Sequence, residues 1–230
     1  MIFIFLPYLN LCFFLLLWLL YPSYLVLFNL FGGILFFIVI LSLVSIPVLI
    51  ISWYSNCKYS LIGGLRGVSQ IVSYDCVIGF IFIRFIFLIN NLDLEFYSDI
   101  NNRFSFFVFF PVLLIWIICI LAESNRSPFD FSEGESELVS GFNTEYSGFS
   151  FSGCFIGEYV SILFISLFSG FIFFCHISLF IGLSCLLFCF YYVWVRVFLP
   201  RYRYDKLIIA SWKFLLPLGI IFYCFFSFFS

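Results

Sequence analysis

No charged side chain occurs between Met1 and Cys57, and none between Tyr159 and Val195, a run of 37 residues. Uncharged apolar stretches of this length constrain the fold more than any other feature, because water cannot solvate them and a lipid bilayer can. As one helix the second run would be about 55 Å long, against a hydrocarbon core of about 30 Å. It therefore divides into two spans, with a tight turn near Cys175-His176-Ile177-Ser178. The first run is broken at Tyr21-Pro22-Ser23-Tyr24 and again from Asn29 to Gly32-Gly33. Hydropathy along the whole chain places helices at about 2–20, 30–52, 74–90, 104–122, 155–174, 178–197 and 207–229. The expected fold is all-α: a polytopic transmembrane helix bundle of seven spans, forming a single integral membrane domain over residues 1–230.

Composition agrees with this reading. Hydrophobic residues make up 65% of the chain and charged residues 10%, and the mean hydropathy is +1.22. That leaves too little polar surface for a soluble domain. Membrane lipid is the expected surrounding, and no nucleic-acid partner is expected. Phenylalanine reaches 39 residues while methionine occurs only at position 1. In a bilayer Phe substitutes for Leu at little cost, so the excess reads as compositional drift from T-rich codons, not as a ring-stacking device. With no amphipathic, Arg-rich presequence in view, the drift points to an organelle-encoded protein. Nine cysteines are scattered and none forms a CxxC pair. Cys185 and Cys189 share a helix face but have no third ligand nearby, so they read as small apolar residues. His176, the only histidine, sits at a turn. No metal site, iron–sulfur cluster or flavin is expected in this chain.

The polar segments set direction. Loops expected at 53–73, 123–153 and 196–206 carry Lys58, Arg66, Arg126, Arg196, Arg201, Arg203 and Lys206. The opposite side carries Arg103, set among Asp93, Glu95 and Asp99. By the positive-inside rule the three loops face the matrix or cytoplasm, with the N-terminus inside and the C-terminus outside. Lys213 can snorkel to the inner interface. Arg84 lies within the third span, about 180° around the helix from Asp75. It reaches the outer interface or a partner outside this chain, or else marks an ion path.

The segment Leu121–Tyr146 reads LAESNRSPFDFSEGESELVSGFNTEY and holds Glu123, Asp130, Glu133, Glu135, Glu137 and Glu145, six of the 12 acidic residues in the chain. Ser132 followed by Glu135 fits a capping box, so a short helix is expected to start there. On it Glu133 and Glu137 share a face and Glu135 points away. A solvated, capped turn accounts for one or two carboxylates. Six, interleaved with Phe129, Phe131, Leu138, Val139 and Phe142, imply a folded and partly buried segment. Carboxylates crowded in such a place have coupled proton affinities, which is what a proton relay requires. Asp75 in the third span and Glu158 at the start of the fifth extend the series into the membrane.

This run resembles the signature of the subunit 1 family of mitochondrial NADH:ubiquinone oxidoreductase (respiratory complex I), whose bacterial equivalent is the H subunit. Two more stretches are similar to the family: WYSNCKYSLIGGLRGVSQIVSYD at Trp53–Asp75 and VWVRVFLPRYRYDKLIIASWKFLLPL at Val193–Leu218. The resemblance implies a heel subunit of the membrane arm, whose matrix loops build much of the ubiquinone tunnel beside quinone-module peripheral subunits. Ubiquinone is then a substrate at a shared site, and no cofactor is bound covalently. By motif position the resemblance makes Asp75, Glu123, Asp130, Glu133, Glu135, Glu137 and Glu158 the acidic proton path toward the other membrane-arm subunits. It makes Arg66, Arg126 and Phe129 cavity residues. No residue of this chain is expected to be catalytic in its own right, and the NADH site lies elsewhere. Asp75 stands where the family usually has Glu, which keeps the carboxylate but shortens its reach. Localisation in the mitochondrial inner membrane follows from the same resemblance.

Met1 aligns with the beginning of the family's second span. A separate polypeptide beside residues 2–20 is therefore expected to supply the preceding helix and the basic loop at the quinone entrance. Two other functions compete. The equivalent subunit of a membrane-bound hydrogenase-type complex shares parts of the acidic loop but not the uninterrupted SEGESELVSGFNTEY run. A stand-alone proton transporter would be favoured by inverted repeats, and none is visible.

Overall fold

The computed structural model describes residues 2–20, 32–89, 106–132, 134, 141–174 and 178–227. Among them the secondary structure is entirely helical. Helix α1 spans Ile2–Leu17 and tightens into a 3₁₀ turn at Trp18–Leu20; α2 spans Gly33–Tyr54 and α3 Lys58–Ile89. Helix α4 spans Phe106–Glu123, α5 Gly148–Phe174 and α6 Ser178–Phe198. Helix α7, Tyr204–Ala210, runs through a π-helical segment at Ser211–Leu215 into α8, Leu216–Ser227. Helices α2, the Lys58–Ile83 part of α3, and α5 are long and apolar enough to cross a membrane, while Phe5–Leu20, Phe110–Glu123 and Gly182–Phe198 are shorter apolar helices. Within the 37-residue uncharged run α5 ends at Phe174 and α6 begins at Ser178; residues 175–177 of the expected turn lie outside the described residues.

Each helix buries one stripe and leaves another to the surroundings. In α2, Phe37, Leu41, Val44, Val48 and Ile51 are buried at spacings of three and four, whereas Leu35, Val39, Ile46 and Leu49 face outward. Two apolar faces on one helix are costly in water but natural in lipid, where the outward face meets acyl chains. Pro47 lies inside α2 and Pro111 inside α4; neighbouring helices make such prolines tolerable within a membrane.

The packing order follows from small residues and aromatic fillers. Helix α2 lies against α1 and α3, α5 against α1 and α6, and α3 against α4 and α8. Where they meet, Phe37 of α2 stacks on Phe168 of α5 with ring centroids 4.3 Å apart. Phe82 of α3 lies 5.2 Å from Phe37 and meets Trp116 of α4 edge-on at 5.5 Å. The buried phenylalanines thus form a continuous aromatic centre joining four helices. Drift explains their number but not their arrangement, since quadrupolar rings favour these tilted and edge-to-face contacts.

The loop expected at 53–73 is shorter. Only residues 55–57 separate α2 from α3, and 58–73 are the first turns of α3. Its glycines and polar residues resemble a loop in sequence, yet they serve close packing. A Cβ on Gly64 would overlap the Ser52 side chain of α2. At 32 residues, α3 is about 48 Å long, so its polar start reaches past the hydrocarbon core. Likewise 148–153 belong to α5 rather than to the loop, and the last expected loop narrows to 199–203 between α6 and α7. The short helix expected from Ser132 falls on residues outside the described set. The turn seen nearby is a 3₁₀ turn at Gly141–Asn143.

Candidate functional site

Three polar segments, distant in sequence, converge on one end of the bundle. Gly63 and Gly67, one turn apart on α3, admit the acidic segment: a Cβ on Gly63 would lie 2.9 Å from Ser132 O and 3.0 Å from Gly141 Cα, and one on Gly67 3.0 Å from Ser132 Cβ. Ser60 donates its hydroxyl hydrogen bond to Phe142 O at 3.3 Å. Tyr202 N–H in the 199–203 loop donates to Pro128 O at 3.1 Å, and the Arg201 guanidinium donates to Asp130 O. Tyr8 at the start of α1 donates to Phe149 O at 3.4 Å, which brings the N-terminal end of α1 to the same end of the molecule.

Gln70 is the central brace. It is fully buried, and its Nε2 donates to Ala122 O at 2.8 Å and to Phe129 O at 3.0 Å. One side chain of α3 thereby fixes both the last turn of α4 and the loop that leaves it. The next residue after Ala122 is Glu123, the final residue of α4, which is 8% exposed. Asp75 lies 17 residues into α3 by number, about 26 Å along its axis. Both Asp75 carboxylate oxygens and Glu123 Oε2 are buried without a hydrogen-bond partner among the described residues. The two carboxylates are carried by helices packed against each other, α3 and α4, and a charge on Asp75 bears on Glu123. Such a pair is expensive to hold doubly charged, so its charge state responds to whatever happens beside it.

Arg126, three residues beyond Glu123, meets Glu158 of α5 at 3.3 Å, with both side chains about one-seventh exposed (14% and 15%). Its guanidinium also lies over the Tyr159 ring, 4.7 Å from the centroid. Phe129 sits between aromatic rings, 6.4 Å from Tyr74 and 5.7 Å from Tyr202. Phe131 is buried beneath Arg201 and edge-on to Tyr204. Arg66 lies over the other side of this group, 5.7 Å from the Tyr204 ring, and Ser69 shares a hydrogen bond with Tyr204 Oη. At the rim, Cys57 donates to Glu145 Oε1 at 3.0 Å, and that carboxylate holds the thiol above its ordinary pKa. Burial likewise raises the phenol of Tyr146.

The structure thus brings Asp75, Glu123, Arg126, Phe129, Asp130 and Glu158 to one region, with Arg66 at its edge. Glu133, Glu135, Glu137 and His176 lie outside the described residues, as does the side chain of Arg84. Gln70, Tyr74, Tyr202 and Tyr204 were not among the residues read from sequence as a site. The YRYD stretch at 202–205 reads in sequence as part of a basic loop, although its alternating aromatic and charged residues are a usable signal. Among the described residues no group of three or more His, Cys, Asp or Glu side chains is placed to hold a metal ion.

Fold and site together define a class: an α-helical membrane bundle with buried carboxylates under a structured polar cap. Comparison with known proteins specifies it. The family model described as NADH dehydrogenase matches residues 1–227. NADH-ubiquinone oxidoreductase chain 1 of Aedes aegypti is 43% identical over 215 residues, covering 92% of this chain and 69% of the relative. The Anopheles gambiae protein of the same description is 45% identical over 217 residues, covering 92% and 68%, and that of Mytilus edulis is 45% identical over 218 residues, covering 93% and 71%. The chain belongs to the NADH dehydrogenase family, in the group of NADH-ubiquinone oxidoreductase chain 1 proteins.

Proposed function

We propose that this chain is a multi-pass inner-membrane subunit of a proton-pumping NADH:ubiquinone oxidoreductase. In that complex it forms part of the ubiquinone cavity and carries the acidic path that links quinone reduction to proton translocation. The relatives' description as NADH-ubiquinone oxidoreductase supports the complex and the quinone substrate. The buried carboxylates of Asp75 and Glu123 carry the proposal for the path, since two desolvated carboxylates on neighbouring helices are a device for holding and releasing a proton.

On this reading the polar cap faces the matrix, and Arg66, Arg126 and Phe129 form its quinone-side wall with neighbouring peripheral subunits. Asp130, Glu133, Glu135 and Glu137 collect the charge change that follows quinone reduction. Glu123, Asp75 and Glu158 pass it inward to the rest of the membrane arm. Arg126 sits at the junction: an added negative charge near its guanidinium competes with Glu158 for it, and the released carboxylate then binds a proton. The redox chemistry itself belongs to other subunits.

The test is substitution of Asp75 by Asn and of Glu123, Glu133 and Glu137 by Gln in the assembled complex. Each is expected to lower quinone-linked NADH oxidation by about tenfold or more, in line with loss of a proton-transfer group. NADH oxidation by an artificial acceptor stays at wild type. Undiminished quinone-linked turnover and pumping in every variant would refute the acidic path.

A further inference from the structure

Tyr204 opens α7 and stands where three segments meet. Helix α7 packs on α3, and two side chains of α3, one turn apart, reach the tyrosine. The Arg66 guanidinium lies over its ring, 5.7 Å from the centroid. Ser69 Oγ meets its hydroxyl at 2.5 Å. The direction of that hydrogen bond follows from a second one. Ser69 Oγ also lies 2.9 Å from Arg66 O, which can only accept. The one serine hydrogen goes there, so Tyr204 donates to Ser69 Oγ. Ser52 and Ser73 likewise return their hydroxyls one turn back, a habit of helical serines; Ser69 differs in accepting a phenol from another helix. Phe131 of the acidic segment, itself buried, meets the same ring edge-on at 5.9 Å. Two residues earlier, Tyr202 N–H is tied to Pro128 O. The ring is thus fixed between α3 and the acidic segment, and Arg66 rests on it.

We infer that Tyr204 is a positioning residue for Arg66: its ring holds the guanidinium, and its hydroxyl, through Ser69, fixes the backbone carbonyl of the same arginine. Arg66, Ser69 and Tyr204 are all half-buried, so these contacts are partly shielded from water. An arginine side chain is rich in rotamers, and one already confined binds a ligand at a smaller ordering cost. Attraction to a ring face is electrostatic and does not need the guanidinium N–H donors, which remain suited to oxygen acceptors. Oxygen acceptors are what a quinone headgroup presents. The wall of the cavity then extends from α3 to the start of α7, with Tyr204 behind the residue that touches the headgroup. The inference rests on the proposed place of Arg66 in that wall.

The test measures KM and kcat for decylubiquinone in the assembled complex, with the artificial-acceptor rate as a measure of intact complex. Tyr204→Leu removes the ring face and is expected to raise KM about three- to tenfold, the worth of one partly shielded cation–ring contact. The kcat per intact complex stays within about twofold, since what is lost is binding of the headgroup. A packing defect would instead reduce the amount of complex and leave KM alone. Tyr204→Phe and Ser69→Ala keep the ring and remove the tether, so each is expected to raise KM by about two- to threefold, and the two together by no more than either. In an Arg66→Gln background, Tyr204→Leu adds nothing. Wild-type KM in all three variants of Tyr204 and Ser69, with KM raised in Arg66→Gln, would overturn the inference and leave the cavity role of Arg66 standing. A full, multiplying effect of Tyr204→Leu on top of Arg66→Gln would also overturn it. Unchanged KM in Arg66→Gln would overturn the proposed place of Arg66 as well. If Tyr204→Leu fails to assemble, the matched and non-additive KM rise in Tyr204→Phe and Ser69→Ala supports the inference, and its absence overturns it.

Discussion

Arg126 and Glu158 form an ion pair at 3.3 Å that ties the loop leaving α4 to the third turn of α5, and both side chains are largely buried. Neither helix packs extensively on the other elsewhere, so this pair and the ring of Tyr159 under the guanidinium carry much of their registry at the polar end. Breaking such a pair from one side leaves a desolvated charge, which costs about 3–5 kcal/mol. Arg126→Met is expected to lower the level of assembled complex. Adding Glu158→Gln restores part of it, because the stranded charge is gone. A double-mutant cycle on the thermal inactivation of quinone-linked activity should give a coupling of about 1–3 kcal/mol, and a coupling near zero would deny the pair a role.

Gln70 donates two hydrogen bonds from α3 to the α4 exit. Gln70→Met keeps the volume but removes one of two donors from each carbonyl, since Asn125 N–H still reaches Ala122 O and Phe131 N–H still reaches Phe129 O, a loss of about 0.5–1.5 kcal/mol per hydrogen bond. Quinone-linked activity should be lost at a lower temperature than in wild type, measured by timed heating of membranes. The rate per assembled complex at low temperature should fall less than in Glu123→Gln.

Gly63 and Gly79 offer a matched comparison within α3. A methyl at Gly63 would press on Ser132 O and the Gly141 backbone, whereas at Gly79 nothing lies within 4 Å. Gly63→Ala should therefore displace the acidic segment and reduce quinone-linked turnover. Gly79→Ala should be neutral, or stabilising by up to about 1 kcal/mol from helix propensity. Equal behaviour of the two variants in a turnover and heat-stability assay would show that the close approach has no consequence.

The Cys57–Glu145 hydrogen bond predicts a reactivity difference. The thiolate is the nucleophile, and Glu145 raises the thiol pKa, so less thiolate is present at a given pH than for an ordinary cysteine. Alkylation of Cys57 by a small maleimide should be slow near neutral pH and should accelerate as pH rises. Glu145→Gln removes the negative charge, lowers the thiol pKa and should speed the reaction at pH 7. Peptide-level mass spectrometry after timed labelling measures it; a slower reaction in Glu145→Gln would contradict the assignment.

Much of the architecture follows from chain chemistry alone. Runs such as Tyr159–Val195 have few solutions in any solvent, and a bilayer fixes the length at which they must turn. The acidic run at 121–146 stands out by density, and Asp75 and Glu158 by being charged beside uncharged apolar runs. Those signals are one-dimensional, so they survive without a structure.

What sequence could not supply was anything that depends on two segments meeting. Residues 58–73 read as a loop because glycine and serine usually mean one, yet packing against Ser52, Ser132 and Gly141 makes them helix. Gln70 is a single polar residue in a mixed helix; only the approach of α3 to the end of α4 shows what it faces. The sequence by itself determined that this chain lives in a membrane and gathers carboxylates at one edge of it, because solvation is a local property of each segment. Only the tertiary structure decided which carboxylates are coupled, which is paired with Arg126 and which side chains brace them, because electrostatic and hydrogen-bond energies depend on distances the chain sets only when it folds.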